Sequence, residues 1–373
     1  MQLIKASALV GLFAAITTST PIEKRHEKFV AYPVEHAEYS SSSVGKRFEQ
    51  NQFHEFDVRG RGYLTKLKVG SNQQELKVLI DTGSANLNFP HVGAKCLGKA
   101  CQAEYSFDPS ESTTFKNLSK PYSVTYGIGK ATGKASGFQS TDNFYFDDGK
   151  TLPNFEFTLL DSVPYRGGIF GIGTSSNDNT SYARAIKKAG FIDTAGFSLY
   201  AGPNDDGILL LGGVDKAKYE GELAIYKSTL SVPGKSLTTG NGTVMEFVSV
   251  LALDTGNPGL GLDPVIAEEI LKEVKDENGK ISCDIALSGN KKLTFDLGKG
   301  VIVDVLYSDV FYWNEDKTSC NTRIAHSPHP GATQSVGVPL IKHLYLTHNF
   351  ETNQLGIAPV KHTDESNIVD FWF

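Results

Sequence analysis

The tripeptide Asp-Thr-Gly occurs twice in this chain, at Asp81-Thr82-Gly83 and at Asp254-Thr255-Gly256. Each copy closes a short apolar run, Val78-Leu79-Ile80 before the first and Val250-Leu251-Ala252-Leu253 before the second. An apolar run that stops at Asp and Gly reads as a buried strand ending in a turn. Two such strand ends in one chain imply two half-sites built alike. Two carboxyls brought face to face cannot both ionise cheaply, so they share a proton, one serving as acid while the other serves as base. That is the arrangement needed to activate water.

The repeat extends beyond the tripeptides. Ile169-Phe170-Gly171 follows the first copy and Ser335-Val336-Gly337 follows the second at a similar distance. Landmarks in the same order at similar offsets indicate an old duplication giving two lobes, not a solenoid of short units. Most of the chain consists of short β-branched or aromatic runs cut by Gly, Asn and Asp. Tyr63 to Val69 alternates, as does Tyr122 to Tyr126. Helical spacing is confined to short pieces, 181–189 and 264–274, the latter with Ile266, Ile270, Leu271 and Val274 on one face. The expected class is mainly β and bilobal. No glycine-rich phosphate loop opens a helix after a strand, and no nucleophile-elbow serine is present.

With 40% hydrophobic residues, 22 Phe and 15 Tyr, the chain has ample material for large cores. Its net charge of −6 gives no reason to expect nucleic acid as a partner. At the N-terminus Lys5 precedes an apolar stretch from Ala8 to Ile16 and small residues at Thr17 to Thr20. The stretch is too short to span a bilayer and fits a secretory signal over 1–20. Two dibasic pairs follow, Lys24-Arg25 and Lys46-Arg47. They suggest a propeptide over 21–47 and a mature chain from Phe48, which is more acidic still. Lobes over 48–222 and 223–373 then share the remainder.

Four cysteines in a secreted chain suggest two disulfides among three possible pairings. Cys96 and Cys101 are close enough to close a small loop, leaving Cys283 and Cys320 for a larger one. Neither pair has the His or Cys company of a zinc site, so no metal is expected. Sequons at Asn117, Asn179 and Asn241 agree with secretion. The terminal Asp370-Phe371-Trp372-Phe373 lacks a lipid-anchor signal, so a released, soluble extracellular product without a membrane anchor is expected.

From about residue 60 to 369 the chain resembles the pepsin-like aspartic proteases, and more closely the secreted candidapepsins of yeasts. The resemblance rests on Val78-Leu79-Ile80-Asp81-Thr82-Gly83-Ser84, Tyr126-Gly127-Ile128-Gly129 and Gly168-Ile169-Phe170-Gly171-Ile172-Gly173. It continues through Gly212-Gly213-Val214-Asp215-Lys216-Ala217-Lys218-Tyr219 to Ala358-Pro359-Val360-Lys361. It implies a bilobal β fold whose cleft takes an extended peptide, and a monomer needing no cofactor. Asp81 and Asp254 are then the catalytic pair. Thr82 and Thr255 brace the two loops across the lobes, and Gly83 and Gly256 allow tight turns with N–H groups near the carboxylates. Tyr126 and Gly127 belong to a hairpin closing over substrate, and Ser84 lies beside the first carboxyl.

The chain also departs from that pattern. Asn257-Pro258 stands where the second loop should carry a hydroxyl, and Asn88 stands where a Trp should hold the hairpin tyrosine. Ile128, Lys130 and Val338 replace other familiar residues. The Asn257 amide can donate, so the Asp254 carboxylate need not be left unsupported, yet the side chain is longer and Pro258 restricts the conformation before it. The alternative reading of these changes is a catalytically weak relative that binds peptides or surfaces.

Overall fold

The computed structural model describes residues 28–38 and 61–373, apart from 129–130, 166, 176, 204–205, 290 and 315–316. The expected signal segment, both dibasic pairs, Phe48 and Lys130 lie outside the described residues.

Strands dominate, as the period-two runs require. Among the described residues the largest sheet has 14 strands and draws on both halves of the chain. Its first-half members include Arg61–Val69, Gln74–Asp81, Leu87–Cys96, Thr151–Val163 and Gly168–Gly171, and its second-half members include Ala224–Lys227, Leu344–Asn349 and Gln354–Pro359. Strand Leu344–Asn349 joins the halves by pairing with Gly196–Ala201, Leu199 opposite Leu346. A mainly β, bilobal pepsin-like architecture accounts for this organisation.

The duplicated landmarks occupy equivalent places. Gln74–Asp81 runs parallel to Gly168–Gly171, with Asp81 opposite Gly171, and Leu87–Cys96 pairs antiparallel on the far side of that short strand. In the second half Leu251–Leu253 runs parallel to Gln334–Val336, and Leu260–Leu262 pairs antiparallel beyond it. Each half therefore places its Asp at the end of one strand, beside the landmark strand. The sequence repeat is a repeat of three-strand units.

Strands Lys116–Ile128 and Ala131–Tyr145 form a long antiparallel hairpin, with Tyr126 opposite Gly133 near its tip. Tyr122, Val124 and Tyr126 rest on a satellite core of Cys96, Ala135, Leu160, Val163, Tyr165 and Ile169, separate from the main core. Cys96–Cys101 closes the small loop at that core and Cys283–Cys320 the larger one, as expected. The helix over Tyr182–Lys188 starts after Ser181 and ends at Ala189. The one over Pro264–Lys272 begins with Asp263 accepting from the Val265 N–H, and it buries Ile266, Ala267 and Ile270.

Strand Val30–Glu38, within the segment expected to be a propeptide, lies between Arg61–Val69 and Asp206–Leu211 and pairs with both. Its Tyr32 hydroxyl bonds that of Tyr182 at 2.7 Å. No helix among the described residues is long and apolar enough to cross a membrane.

Candidate active site

The ends of the two Asp strands meet through their threonines. The Thr82 N–H donates to Thr255 Oγ1 at 3.0 Å, and the Thr255 N–H to Thr82 Oγ1 at 2.9 Å. Each hydroxyl then donates across to a carbonyl of the other half, Thr82 to Leu253 and Thr255 to Ile80, both at 2.7 Å. Both threonines are buried, so four hydrogen bonds free of water competition lock the half-sites in register.

The glycines bring their N–H groups to the carboxylates as expected, and they are glycine for a further reason than the turn. Neither Gly83 nor Gly256 has positive φ, so the turn itself does not demand glycine. What does is close approach. A Cβ on Gly83 would lie 2.5 Å from an oxygen of Asp254, and one on Gly256 would lie 2.5 Å from Asp81 Oδ1. Each glycine leaves room for the carboxyl of the opposite half.

Asp81 and Asp254 are consequently within hydrogen-bonding reach of each other. Asp81 is buried. Its Oδ1 accepts the Gly83 N–H at 2.8 Å, and its Oδ2 accepts a very short bond from the Ser84 hydroxyl. Asp254 is half-buried, and its Oδ1 accepts the Gly256 N–H at 2.9 Å. Burial raises the proton affinity of both carboxyls. For Asp81 the Ser84 hydroxyl and Gly83 N–H oppose that rise. Asp254 is pushed further up by burial and then by the neighbouring Asp81 charge, against weaker support.

The side-chain support comes from Ser335, and Asn257 acts behind it. The Asn257 amide donates to the Ser335 carbonyl at 2.8 Å and to Ser335 Oγ at 3.0 Å, and Ser335 Oγ donates to Asp254 Oδ2 at 3.2 Å. Restricted by Pro258 on one side and committed to the neighbouring strand, Asn257 reaches the carboxylate only through Ser335. A small polar residue in the apolar landmark Ser335-Val336-Gly337 was the available signal.

Asn88 also has partners. Fully buried in its strand, it donates from Nδ2 to the Tyr126 hydroxyl at 2.9 Å. Its Oδ1 accepts from the Tyr165 hydroxyl at 2.9 Å and from the Ile169 N–H at 3.2 Å. Tyr126 and Tyr165 meet edge to face at 5.2 Å. The hairpin tyrosine is thus held by an amide, not an indole, and it lies near enough to Asp81 for that charge, after burial, to help raise its hydroxyl's pKa. A polar residue between Leu87 and Phe89 was a readable signal for Asn88; Tyr165 offered none. Gly127 is exposed beside Tyr126. Ile128 continues the hairpin strand, and Val338 is buried in the turn of helix Val338–Ile341.

Paired strand-end carboxyls brought together beside a tyrosine-bearing hairpin define a site of the aspartic-protease class. The sequence signature described as "Eukaryotic aspartyl protease" matches residues 62–360. The chain belongs to that family, and hence to the aspartic endopeptidases. Among similar proteins, Candidapepsin-4 of Candida albicans (strain WO-1) is 28% identical over 339 residues, covering 82% of this chain and 78% of the relative. Candidapepsin of Candida tropicalis is 27% identical over 389 residues, covering 96% and 95%. Secreted aspartic protease 3 of Candida albicans is 28% identical over 341 residues, covering 82% and 81%.

Proposed function

We propose that Asp81 and Asp254 are the catalytic pair of a secreted endopeptidase that hydrolyses internal bonds of extended peptides at acidic pH. The observation that carries this reading is the pair of carboxyls brought together at matching strand ends, braced by Thr82 and Thr255. Unequal support favours different roles for the two. Asp81, with its two closer donors, is the ionised base that takes a proton from water; Asp254, with the higher proton affinity, is the acid.

The water oxygen attacks the scissile carbonyl carbon while Asp254 protonates the carbonyl oxygen. In the resulting gem-diol the proton held by Asp81 passes to the amide nitrogen, and the C–N bond breaks as Asp254 recovers its proton. Neither residue forms a covalent intermediate. Tyr126, over this centre, excludes bulk water, while Ser84, Gly83, Thr255 and Gly256 fix the carboxyls. Acidic pH follows from the chemistry, because full ionisation of both carboxyls removes the acid.

The names of the relatives support secretion. With it we include a signal over 1–20, processing after Arg47, lobes over 48–222 and 223–373, and a soluble monomer. Processing there leaves strand Val30–Glu38 attached by noncovalent contacts alone, its ladder bonds and the packing of Tyr32 and Val34, or exposes two strand edges that another segment must cover.

The test is hydrolysis of a denatured protein across pH 2–7 by the secreted product, with Asp81→Asn alongside. Turnover confined to acid and lost in the variant supports the reading; equal turnover by the variant overturns it. Binding without turnover would favour the alternative of a peptide-binding relative.

A further inference from the structure

The two half-sites solve one problem with different residues. In the first, the hydroxyl bonding the outer carboxyl oxygen comes from the Asp loop itself, through Ser84, and the neighbouring landmark strand contributes apolar Ile169 opposite Leu79. In the second, the loop position equivalent to Ser84 is Asn257. The landmark position equivalent to Ile169 is Ser335, opposite Ala252. Hydroxyl and non-hydroxyl have exchanged places between loop and strand.

The exchange carries a fixed direction. Asn257 Oδ1 accepts the Gly259 N–H at 2.8 Å, and its amide nitrogen faces the Ser335 carbonyl, so the orientation of the amide is determined at both ends. Its second N–H enters Ser335 Oγ, leaving the serine proton to point at Asp254. Ser335 is 7% exposed and paired through its strand on both sides, so its backbone has little freedom to retreat. The groups facing Asp254 are the Asp81 carboxyl, the Gly256 N–H and this hydroxyl.

We propose that Ser335, oriented by Asn257, is the positioning residue for the second carboxyl, replacing the loop hydroxyl missing at position 257 and setting the upper pH limit of turnover. The proposal rests on the reading of Asp254 as the acid. A donor to Asp254 favours its ionised form, so removing the donor keeps Asp254 protonated to higher pH. The same deletion at Ser84 acts on the base and moves the acidic limit instead.

Four variants test this in kcat/KM against pH: Ser335→Ala, Ser84→Ala, Ser335→Ile and the double exchange Asn257→Ser with Ser335→Ile. Ser335→Ala is expected to lower kcat about tenfold and to move the alkaline limb up by about half to one pH unit, leaving the acidic limb in place. Ser84→Ala moves the acidic limb upward. The double exchange, rebuilding the first half-site's arrangement in the second, recovers most of what Ser335→Ile loses. A purely packing role for Ser335 would lower kcat/KM at all pH values without moving a limb, which overturns the proposal. So does a folded double exchange no better than Ser335→Ile. If Ser335→Ala fails to fold, Asn257→Ala reads the same device from its other end and moves the same limb by less; an unmoved limb there counts against the proposal. If the wild type shows no turnover at any pH, the activity reading fails by itself. The ¹³C titration of the Asp254 carboxyl in wild type and Ser335→Ala then still decides, identical curves overturning the proposal.

Discussion

The first and second half-sites share a backbone plan and differ in what surrounds the carboxyl. Each places Asp at the end of a strand, runs that strand parallel to a landmark segment and ties its Thr to the other half. Yet Asp81 is held by a hydroxyl three residues along its own loop, and Asp254 by one carried on a separate strand and steered by an amide. The first arrangement is local. The second depends on two segments keeping register, and its bond is longer, 3.2 Å. Duplication preserves topology because a one-residue slip would turn every side chain to the other face. It leaves free the choice of which neighbour supplies a given polar group.

The largest effect should come from removing either charge. Asp81→Asn and Asp254→Asn are each expected to lower kcat by about 10²–10⁴-fold, measured on a chromogenic peptide at acidic pH. A variant of one that retained near-normal turnover while the other lost it would break the pairing altogether. Next come the braces, where the half-sites are equivalent. Thr82→Val and Thr255→Val each remove a donor to the opposite strand and the acceptor for the opposite N–H, costing about 2–4 kcal/mol of stability by denaturant unfolding. Because the pair forms one network, the double variant should cost less than the sum. Unequal single costs would show that the symmetry in the bonds is not symmetry in energy.

A smaller effect is expected at the hairpin of the first half, where Tyr126 is latched. Asn88→Leu leaves the buried Tyr165 hydroxyl and Ile169 N–H without their acceptor and frees Tyr126 from its latch. Loss of about tenfold in kcat/KM is expected, with a fall in melting temperature. Tyr126→Phe separates the two, since it removes the latch but keeps Asn88, Tyr165 and the edge-to-face contact. Equal kinetics in wild type and Tyr126→Phe would show that the hydrogen bond is structural.

What the sequence revealed and concealed follows the same division. The Asp strands, the landmark segments, two helices and both disulfides were legible because each is written in contiguous residues with a characteristic period or spacing. The Thr braces were legible through resemblance, and the structure shows the bonds. At Asn257 the sequence showed a donor in place of a hydroxyl but not its target, and only the placement of Ser335, far along the chain, shows where the amide is occupied. Asn88 looked like a lost indole because its partners Tyr126 and Tyr165 come from other strands. Both cases concern which neighbour a polar atom meets, a property of tertiary register that no local pattern encodes. The clearance that Gly83 and Gly256 give was hidden likewise, since the carboxyl each makes room for belongs to the other half.

The smallest effect concerns stability, and it tests the asymmetry without turnover. Burial first, and for Asp254 the Asp81 charge next, raise both carboxyl pKa values above those of an unfolded chain. The folded state then binds protons more tightly than the unfolded one. Its associated stability is fully present below the unfolded carboxylate range, near pH 4, and is lost as pH rises through the folded values. His348, whose burial lowers its pKa to about 4, has the opposite sign: its contribution is present above its unfolded value of 6.5 and lost as pH falls through the folded one. That slope is common to wild type and variants, so it cancels in a comparison. Asp254→Asn should therefore match wild type near pH 3–4 and exceed it by roughly 3–6 °C in melting temperature at pH 7. Asp81→Asn should gain less there, because it removes the better-supported carboxylate and leaves Asp254 beside a neutral amide. Equal gains would mean that Ser84 and Ser335 hold their carboxylates equally well, and the roles of base and acid could not be assigned from the donors.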